Sequence, residues 1–195
     1  MSDHPHFKFP AEAADRLLSE ERGRAMPPER VLAPLEVAAS QTVADIGCGP
    51  GFFSLPLARM VGPDGVVLAL DISPSMLERV GARAAAAGLD NVRPLASVES
   101  GFPLEDASCD RVLAAFLLHE LADPAAFLRE MHRVLRPAGR GLAVDWAAHP
   151  TAYGPPVEVR VSPAVAAEWL SAAGLTPGQE GSLGPDVWTL PFARP

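Results

Sequence analysis

Cysteine and lysine are almost missing from this chain, and each scarcity narrows what it can be. Only Cys48 and Cys109 occur among 195 residues, too few for a disulfide scaffold and with no spacing suited to a metal. Both read as reduced, semi-buried thiols of an intracellular protein. Lysine occurs once, at Lys8, so every other formal cation is arginine, a compositional bias rather than a sign of chemistry. Cations number 16 against 24 acidic residues, for a net charge of -8. That balance disfavours a general nucleic-acid binder, which needs a cationic face to neutralise phosphates, but leaves room for a local basic patch. Long apolar runs are missing too: Val112–Leu118 is among the longest, far short of the roughly 20 residues that span a bilayer. Residues 1–25 carry Asp3, Glu12, Asp15, Glu20 and Glu21 and no apolar stretch, so no secretory signal is expected. With 48% hydrophobic residues, the expectation is one cored, cytoplasmic globular unit.

What is plentiful is punctuation. Proline (21) and glycine (16) are dispersed along the chain rather than gathered in a low-complexity tract. From Thr42 onward, short apolar runs alternate with helical patterns. Strands are predicted at Thr42–Ile46, Val66–Leu70, Asn91–Leu95, Arg111–Leu118 and Gly141–Trp146. Val66–Leu70 is apolar throughout, as a parallel strand covered on both faces should be. Helices are predicted after the glycine-rich turn (Leu55, Leu57, Ala58, Val61), after the cap Ser73-Pro74, after Asp123-Pro124 and after Ser162-Pro163. The helix after Asp123 is expected to run through Leu135 and to be stopped by Pro137 and Gly139; Gly174 should end the last one in a left-handed cap. Leu175–Gln179 and Val187–Leu190 suggest a terminal antiparallel pair. This order specifies an α/β fold: a doubly wound, mostly parallel seven-stranded sheet with a terminal antiparallel hairpin. Residues 1–40 are polar and proline-broken, with helices around Ala11–Glu21 and from Pro28. They are read as an N-terminal helical cap on the unit formed by residues 41–195.

The richest segment is Asp45-Ile46-Gly47-Cys48-Gly49-Pro50-Gly51-Phe52. It sets a strand, a tight glycine turn and a helix start in succession, at the carboxyl ends of the strands where such sheets bind ligands. A dinucleotide fingerprint, G-x-G-x-x-G, needs a small residue at position 52; Phe52 is there, which opposes a nicotinamide-dependent oxidoreductase. Asp45, at the buried end of a parallel strand, is costly unless it meets a cation or several donors. Asp71 ends the second strand, where a carboxylate can accept both hydroxyls of a ribose. A nucleoside, an ammonium and a carboxylate in one ligand describe S-adenosylmethionine. The alternatives are a purely structural strand-to-helix turn and, for Asp71, a helix N-cap or a surface acid.

On these residues and three further stretches the chain resembles class I S-adenosylmethionine-dependent methyltransferases of the small ubiquinone/menaquinone-methyltransferase-like type. Asp45, Gly47, Gly49 and Gly51 match that family's first motif and Asp71 its ribose-binding acid. Phe102-Pro103-Leu104-Glu105-Asp106-Ala107-Ser108-Cys109-Asp110, Leu118-His119-Glu120-Leu121 and Arg133-Val134-Leu135-Arg136-Pro137-Ala138-Gly139 resemble further family stretches in the right order. The resemblance implies a cofactor site that also includes Cys48, Ile72, Ser97, Val98 and Phe116. Two departures stand out. Relatives carry Gly-Asp after the third strand where this chain has Ala96-Ser97, so adenine recognition falls to Ser97, to the Val98 backbone, or to neither. An aromatic of the family is replaced by Cys109, read as a packing change.

His119, after the fourth strand, is either a general base or a packing histidine. Cys48 is read as a small filler rather than a nucleophile. Trp146, His149 and Tyr153, on the irregular link after the fifth strand, are candidate acceptor contacts or a simple lid. Arg24 is a further acceptor candidate, and Arg22 with it could close the same pocket. The expected activity is in-line methyl transfer to a small-molecule acceptor, with no metal, no membrane partner and nucleic acid disfavoured. The alternatives are a non-catalytic cofactor-binding subunit and a protein or RNA methyltransferase. The sequence leaves the acceptor and the oligomeric state open.

Overall fold

A computed structural model describes residues 11–151 and 153–195. Five strands, β1 (Thr42–Ile46), β2 (Val66–Asp71), β3 (Val92–Ala96), β4 (Cys109–Ala115) and β5 (Leu135–Trp146), lie parallel in the order β3-β2-β1-β4-β5. The two-residue pieces β6 (Thr176–Pro177) and β7 (Gly181–Ser182) both pair antiparallel with β8 (Val187–Ala193), which itself runs antiparallel along β5. The sheet is thus a mostly parallel one with an antiparallel edge, and counting both short pieces it has eight strands among the described residues. Strand order reverses between β1 and β4, which opens a crevice at their carboxyl ends.

Helices cover both faces. In chain order they are α1 (Glu20–Ala25), α2 (Pro28–Leu32), α3 (Ser54–Val61), α4 (Pro74–Ala86), α5 (Pro124–Val134) and α6 (Pro163–Ala172). Phe127, Leu128 and Met131 of α5 and Leu170 of α6 are buried in one apolar layer; Leu57 and Val61 of α3 and Val80 of α4 are buried in the other. The second layer also takes Val31, Leu32 and Leu35, none of them exposed, so the N-terminal elements are packed into the core. Burying a side chain of this size contributes about 1.5–3 kcal/mol.

Several boundaries follow local chemistry. Asp123 accepts the Ala126 N–H at 2.9 Å and Ser162 the Val165 N–H at 3.3 Å, so α5 and α6 begin where their caps are. Gly174, at φ 81°, ends α6 in the left-handed conformation. Ser73 occupies the cap position of α4 without capping it: its hydroxyl lies 3.0 Å from Ser75 Oγ, and its N–H goes to Asp71.

Others moved for tertiary reasons. β4 stops at Ala115 because Phe116 turns to φ 58°, and Leu118–Glu120 form a 3₁₀ turn. β5 starts at Leu135, earlier than Gly141, because Leu135 pairs with Cys109 across a register shift. That leaves α5 to end at Val134, with the Arg194 guanidinium donating to the Leu135 and His132 carbonyls at 2.6 and 3.1 Å. The first N-terminal helix is instead a 3₁₀ segment, Ala11–Leu18, followed by α1, whose cap Ser19 accepts the Arg22 N–H.

Gly141 pairs with Phe192 across the β5–β8 ladder, and a Cβ at position 141 would overlap the Phe192 ring, a buried group with no room to swing aside. Gly141→Ala should therefore destabilise the fold by about 1–3 kcal/mol through overpacking, read as a lower urea midpoint at unchanged m-value.

Candidate active site

The crevice is built around the turn that follows β1. Gly47, Gly49 and Gly51 all have positive φ, at 71°, 52° and 84°, a region closed to most side-chain-bearing residues. Space is limiting as well. A Cβ at Gly51 would lie 2.5 Å from Val80 Cγ2, and one at Gly47 would lie 2.8 Å from Leu117 Cδ2. The turn is fastened by the Cys48 N–H, which donates to the Leu70 carbonyl at 2.9 Å.

A carboxylate stands on either side of the turn. Asp45 is 2% exposed and accepts the Ser54 hydroxyl proton at 2.6 Å. Burial pushes its carboxyl up to about 7, against the pull of that hydrogen bond, and the nearby Asp71 charge adds to the rise. Asp71 accepts the Gly49 N–H on Oδ2 and the Ser73 N–H on Oδ1, each at 2.8 Å. Burial raises its pKa, opposed by the backbone N–H groups of Ser73, Gly49 and Ile72. Two N–H bonds leave a carboxylate with further lone-pair sites, so Asp71 can hold the turn and a ligand hydroxyl pair together. Cys48 lies between the two acids. Burial, then the Asp45 and Asp71 charges, hold its thiol far above the ordinary range, and Sγ donates to the Gly49 carbonyl at 3.4 Å. The thiol therefore stays protonated.

Rings make the next wall. Phe116, turned out of line after β4, stacks on Phe53 at 6.5 Å and tilts against Trp146 at 5.2 Å. Arg22 places its guanidinium 4.8 Å from the Phe52 centroid and 5.0 Å from that of Phe116. Its Nε is buried with no hydrogen-bond partner among the described residues, and burial pushes the guanidinium down to about 10, still cationic at neutral pH. Leu17 comes within 3.6 Å of where a Gly49 Cβ would be, so the N-terminal segment reaches across the glycine turn.

At the other end the rim is apolar and open. Ile72, after β2, is 52% exposed and Val98, after β3, is 66% exposed. Ser97 lies between β3 and Val98 with its N–H on the Asp71 carbonyl at 3.1 Å. Two large exposed aliphatics on the same rim as the Asp71 carboxylate offer faces for a flat ring.

His119 is 6% exposed, and its Nδ1 lies 2.7 Å from Asp145 Oδ1, itself fully buried. Asp145 also accepts the Trp146 N–H at 2.8 Å and the His119 N–H at 3.2 Å. The sequence raised His119 but not its partner, because the pair joins residues 26 apart through the β4–β5 neighbourhood. The remaining candidates are dispersed. His149 is exposed, with its ring nitrogens against the Pro185 and Pro150 carbonyls at 2.9 and 3.1 Å, bonds that raise its pKa. Tyr153 is exposed and donates its hydroxyl to Glu21 at 2.8 Å, tying the link after β5 to α1. Arg24 lies outside the crevice, its side chain 79% exposed and paired with Glu20 at 2.6 Å; of the two arginines, Arg22 is the one brought in. α1 turns one and not the other inward, which no local signal in the sequence encodes.

Comparison with known proteins agrees with this geometry. Residues 43–139 match the family model described as a methyltransferase domain. The demethylmenaquinone methyltransferase of Geobacillus kaustophilus is 33% identical over 126 residues, 65% of this chain and 53% of that protein. The chain spans about half the length of the curated relatives it matches. A solved S-adenosylmethionine-dependent methyltransferase from Aquifex aeolicus is 31% identical, with a TM-score of 0.92 over 96% of this chain and 100% of that one. A geranyl diphosphate methyltransferase, 18% identical at a TM-score of 0.77 over 93% and 90% of the two chains, shares the fold. A full-length match of this kind, carried by a chain whose glycine turn and paired aspartates suit the same cofactor, makes this protein a member of the S-adenosylmethionine-dependent methyltransferases.

Proposed function

We propose that the chain moves the methyl group of S-adenosylmethionine to a small-molecule acceptor, with the cofactor lying across the glycine turn between Asp45 and Asp71. The observation that carries this reading is a pair of opposite charges, one buried and one half-buried, that lack counterparts among the described residues. Among the described residues, Asp45 is a buried carboxylate whose side-chain partner is a neutral hydroxyl, and Arg22 is a half-buried cation whose buried Nε has no hydrogen-bond partner. An amino-acid tail answers both, its ammonium to Asp45 and its carboxylate to Arg22. Asp71 would take the ribose hydroxyls, with Gly47, Cys48, Gly49 and Gly51 as the floor. Ile72 and Val98 would cover the adenine faces, with Ser97 at its edge. Phe116 would border the sulfonium. The described part of the N-terminal segment, residues 11–40, acts in this reading as a cap over the crevice, consistent with the positions of Leu17 and Arg22.

The bound cofactor supplies a methyl already activated by positive sulfur. Transfer would join an acceptor electron pair to that carbon as the carbon–sulfur pair returns to sulfur. The protein's share is alignment and exclusion of water, effects that can supply about 7–11 kcal/mol. A proton acceptor is needed only where the attacking atom carries a proton, and His119, oriented by Asp145, is the group nearest that task. The demethylmenaquinone methyltransferase relatives support a small organic acceptor.

The test is incubation with radiolabelled methyl donor and a panel of phenols, naphthols, amines and carboxylic acids, alongside bulk RNA and protein. Label on a small molecule, with stoichiometric S-adenosylhomocysteine, is the expected result. Tight cofactor binding with no transfer would instead indicate a non-catalytic subunit, and acid-insoluble label a macromolecular acceptor.

A further inference from the structure

The rim beside Asp71 is completed by the residues that follow β3, and their hydrogen bonds decide what it can recognise. Asp71 pairs with Ala96 in the β2–β3 register, so Ser97 is the first residue past the sheet at this point. Its N–H donates to the Asp71 carbonyl at 3.1 Å. The Val98 N–H donates to the Gly101 carbonyl at 3.2 Å, and the Gly101 N–H returns a bond of 3.2 Å to the Val98 carbonyl. Glu99 and Ser100 form the tip of the turn so closed. A Cβ at Gly101 would lie 2.9 Å from Val98 Cγ2, so the turn is tight. Glu99 carries the one carboxylate of residues 97–101. It reaches across to the start of α5, where it accepts the Ala122 and Asp123 N–H groups at 2.5 and 3.1 Å. We propose that Ser97 is the specificity-determining residue for the purine of the cofactor, and that its hydroxyl leaves the site open to 6-oxopurine as well as 6-aminopurine forms; the assignment rests on the methyl-transfer reading above.

Donors and acceptors set this outcome. At position 6 adenine presents an amino donor, whereas hypoxanthine presents a carbonyl acceptor. A carboxylate only accepts, so it would match the first and repel the second, and an N–H would do the reverse. A hydroxyl does both, turning to suit. The N–H groups of Ser97 and Val98 and the Glu99 carboxylate are engaged within the protein. The half-buried Ser97 hydroxyl is the side-chain group left for the base edge, with no hydrogen bond among the described residues. Position 1 inverts as well, from an acceptor in adenine to an N–H donor in hypoxanthine, and here the openness of the rim matters. Val98 is 66% exposed and Ile72 52% exposed, so water can meet either atom at small cost. The ring itself is held by burial against these two aliphatic side chains, a force that is non-directional and indifferent to the edge. Strong rejection of an analogue needs a buried polar group that the analogue leaves unpaired. A rotatable hydroxyl on an open rim is not such a group.

The experiment is calorimetric titration of the full chain with S-adenosylhomocysteine and with its 6-oxo counterpart, S-inosylhomocysteine. The wild-type protein should bind the two within about threefold of one another. Ser97→Asp puts an acceptor-only carboxylate at the base edge and should create a preference of at least about tenfold for S-adenosylhomocysteine. Ser97→Asn has nearly the same shape but offers both an acceptor oxygen and an NH₂ donor, so its two affinities should stay within about threefold. The matched pair separates the chemistry of the edge from any structural effect of a larger side chain at position 97. A wild-type preference beyond about threefold for either compound would overturn the proposal. So would a Ser97→Asp protein that still binds both equally, because residue 97 then does not meet the base. Should Ser97→Asp fail to fold, the wild-type and Ser97→Asn ratios decide the matter. Failure of the wild-type chain to bind S-adenosylhomocysteine would instead strike the methyl-transfer reading, so the two failures are distinguishable.

Discussion

Asp71→Ala is expected to weaken binding of S-adenosylmethionine by at least about 100-fold, whereas His119→Ala should leave that affinity within about threefold. The asymmetry follows from what each side chain holds. Asp71 fixes the glycine turn through the Gly49 N–H and the start of α4 through the Ser73 N–H, and in the proposed complex it also accepts the ribose hydroxyls. Hydrogen bonds to a charged group contribute about 1.5–3 kcal/mol each, and about 1.4 kcal/mol is tenfold in affinity. Losing two such bonds therefore accounts for a factor of about 100 or more before any loosening of the turn. His119 Nδ1 meets Asp145, and its removal leaves a fully buried carboxylate held, among the described residues, by the backbone N–H groups of Trp146 and His119. The cost of His119→Ala should appear in stability, as a lowered denaturant midpoint, and not in cofactor affinity. Calorimetric titration of both folded variants reads the two affinities directly. Comparable losses would remove Asp71 from the ribose role.

The second large effect is a pH dependence set by Asp45. Its carboxyl is raised to about 7 by burial, so at pH 6 the empty protein holds it mostly protonated. An ammonium ligand favours the ionised form, so binding below pH 7 must expel a proton. Affinity should therefore fall about tenfold for each pH unit below 7, reaching about 100-fold at pH 5, and level off between pH 7 and 8. Isothermal titrations in buffers of different ionisation enthalpy should report nearly one proton released at pH 6 and almost none at pH 8. Asp45→Asn should bind weakly at every pH with no proton release. The sign for folding is the opposite of the usual carboxylate case. The native state keeps a proton that the unfolded chain, with a carboxyl near 3.8, has already lost. Stability of the cofactor-free protein should thus decline as pH rises from about 4 to 7, through this group, and Asp45→Asn should flatten that decline. A pH-independent affinity would show that no cation meets Asp45.

Much of this site is readable along the chain because its parts are local. Asp45 and the three glycines lie within seven consecutive residues, and their conformational demand is set by the turn itself, where φ is positive and Val80 and Leu117 leave no room for a Cβ. Asp71 is one strand further on, placed by the β1–β2 register. Caps at Asp123 and Ser162 are equally local, each hydroxyl or carboxylate serving an N–H three residues ahead. Errors cluster where a distant partner overrides the local pattern. Leu135 carries a helical spacing yet joins β5 because Cys109 is there to pair with it, and Ser73 does not cap α4 although it stands at the right position.

By itself the sequence determined the alternation of strands and helices, the glycine turn with its two aspartates, and hence the cofactor class, since each depends on residues near one another in the chain. The tertiary structure alone decided which arginine enters the crevice, that His119 is anchored by Asp145, and that Arg160 donates to the carbonyls of the link after β5. Those outcomes turn on the orientation of side chains brought together across the sheet, and hydrophobic period and capping chemistry carry no information about which way a long polar side chain on a surface helix or a loop will point once the core has closed.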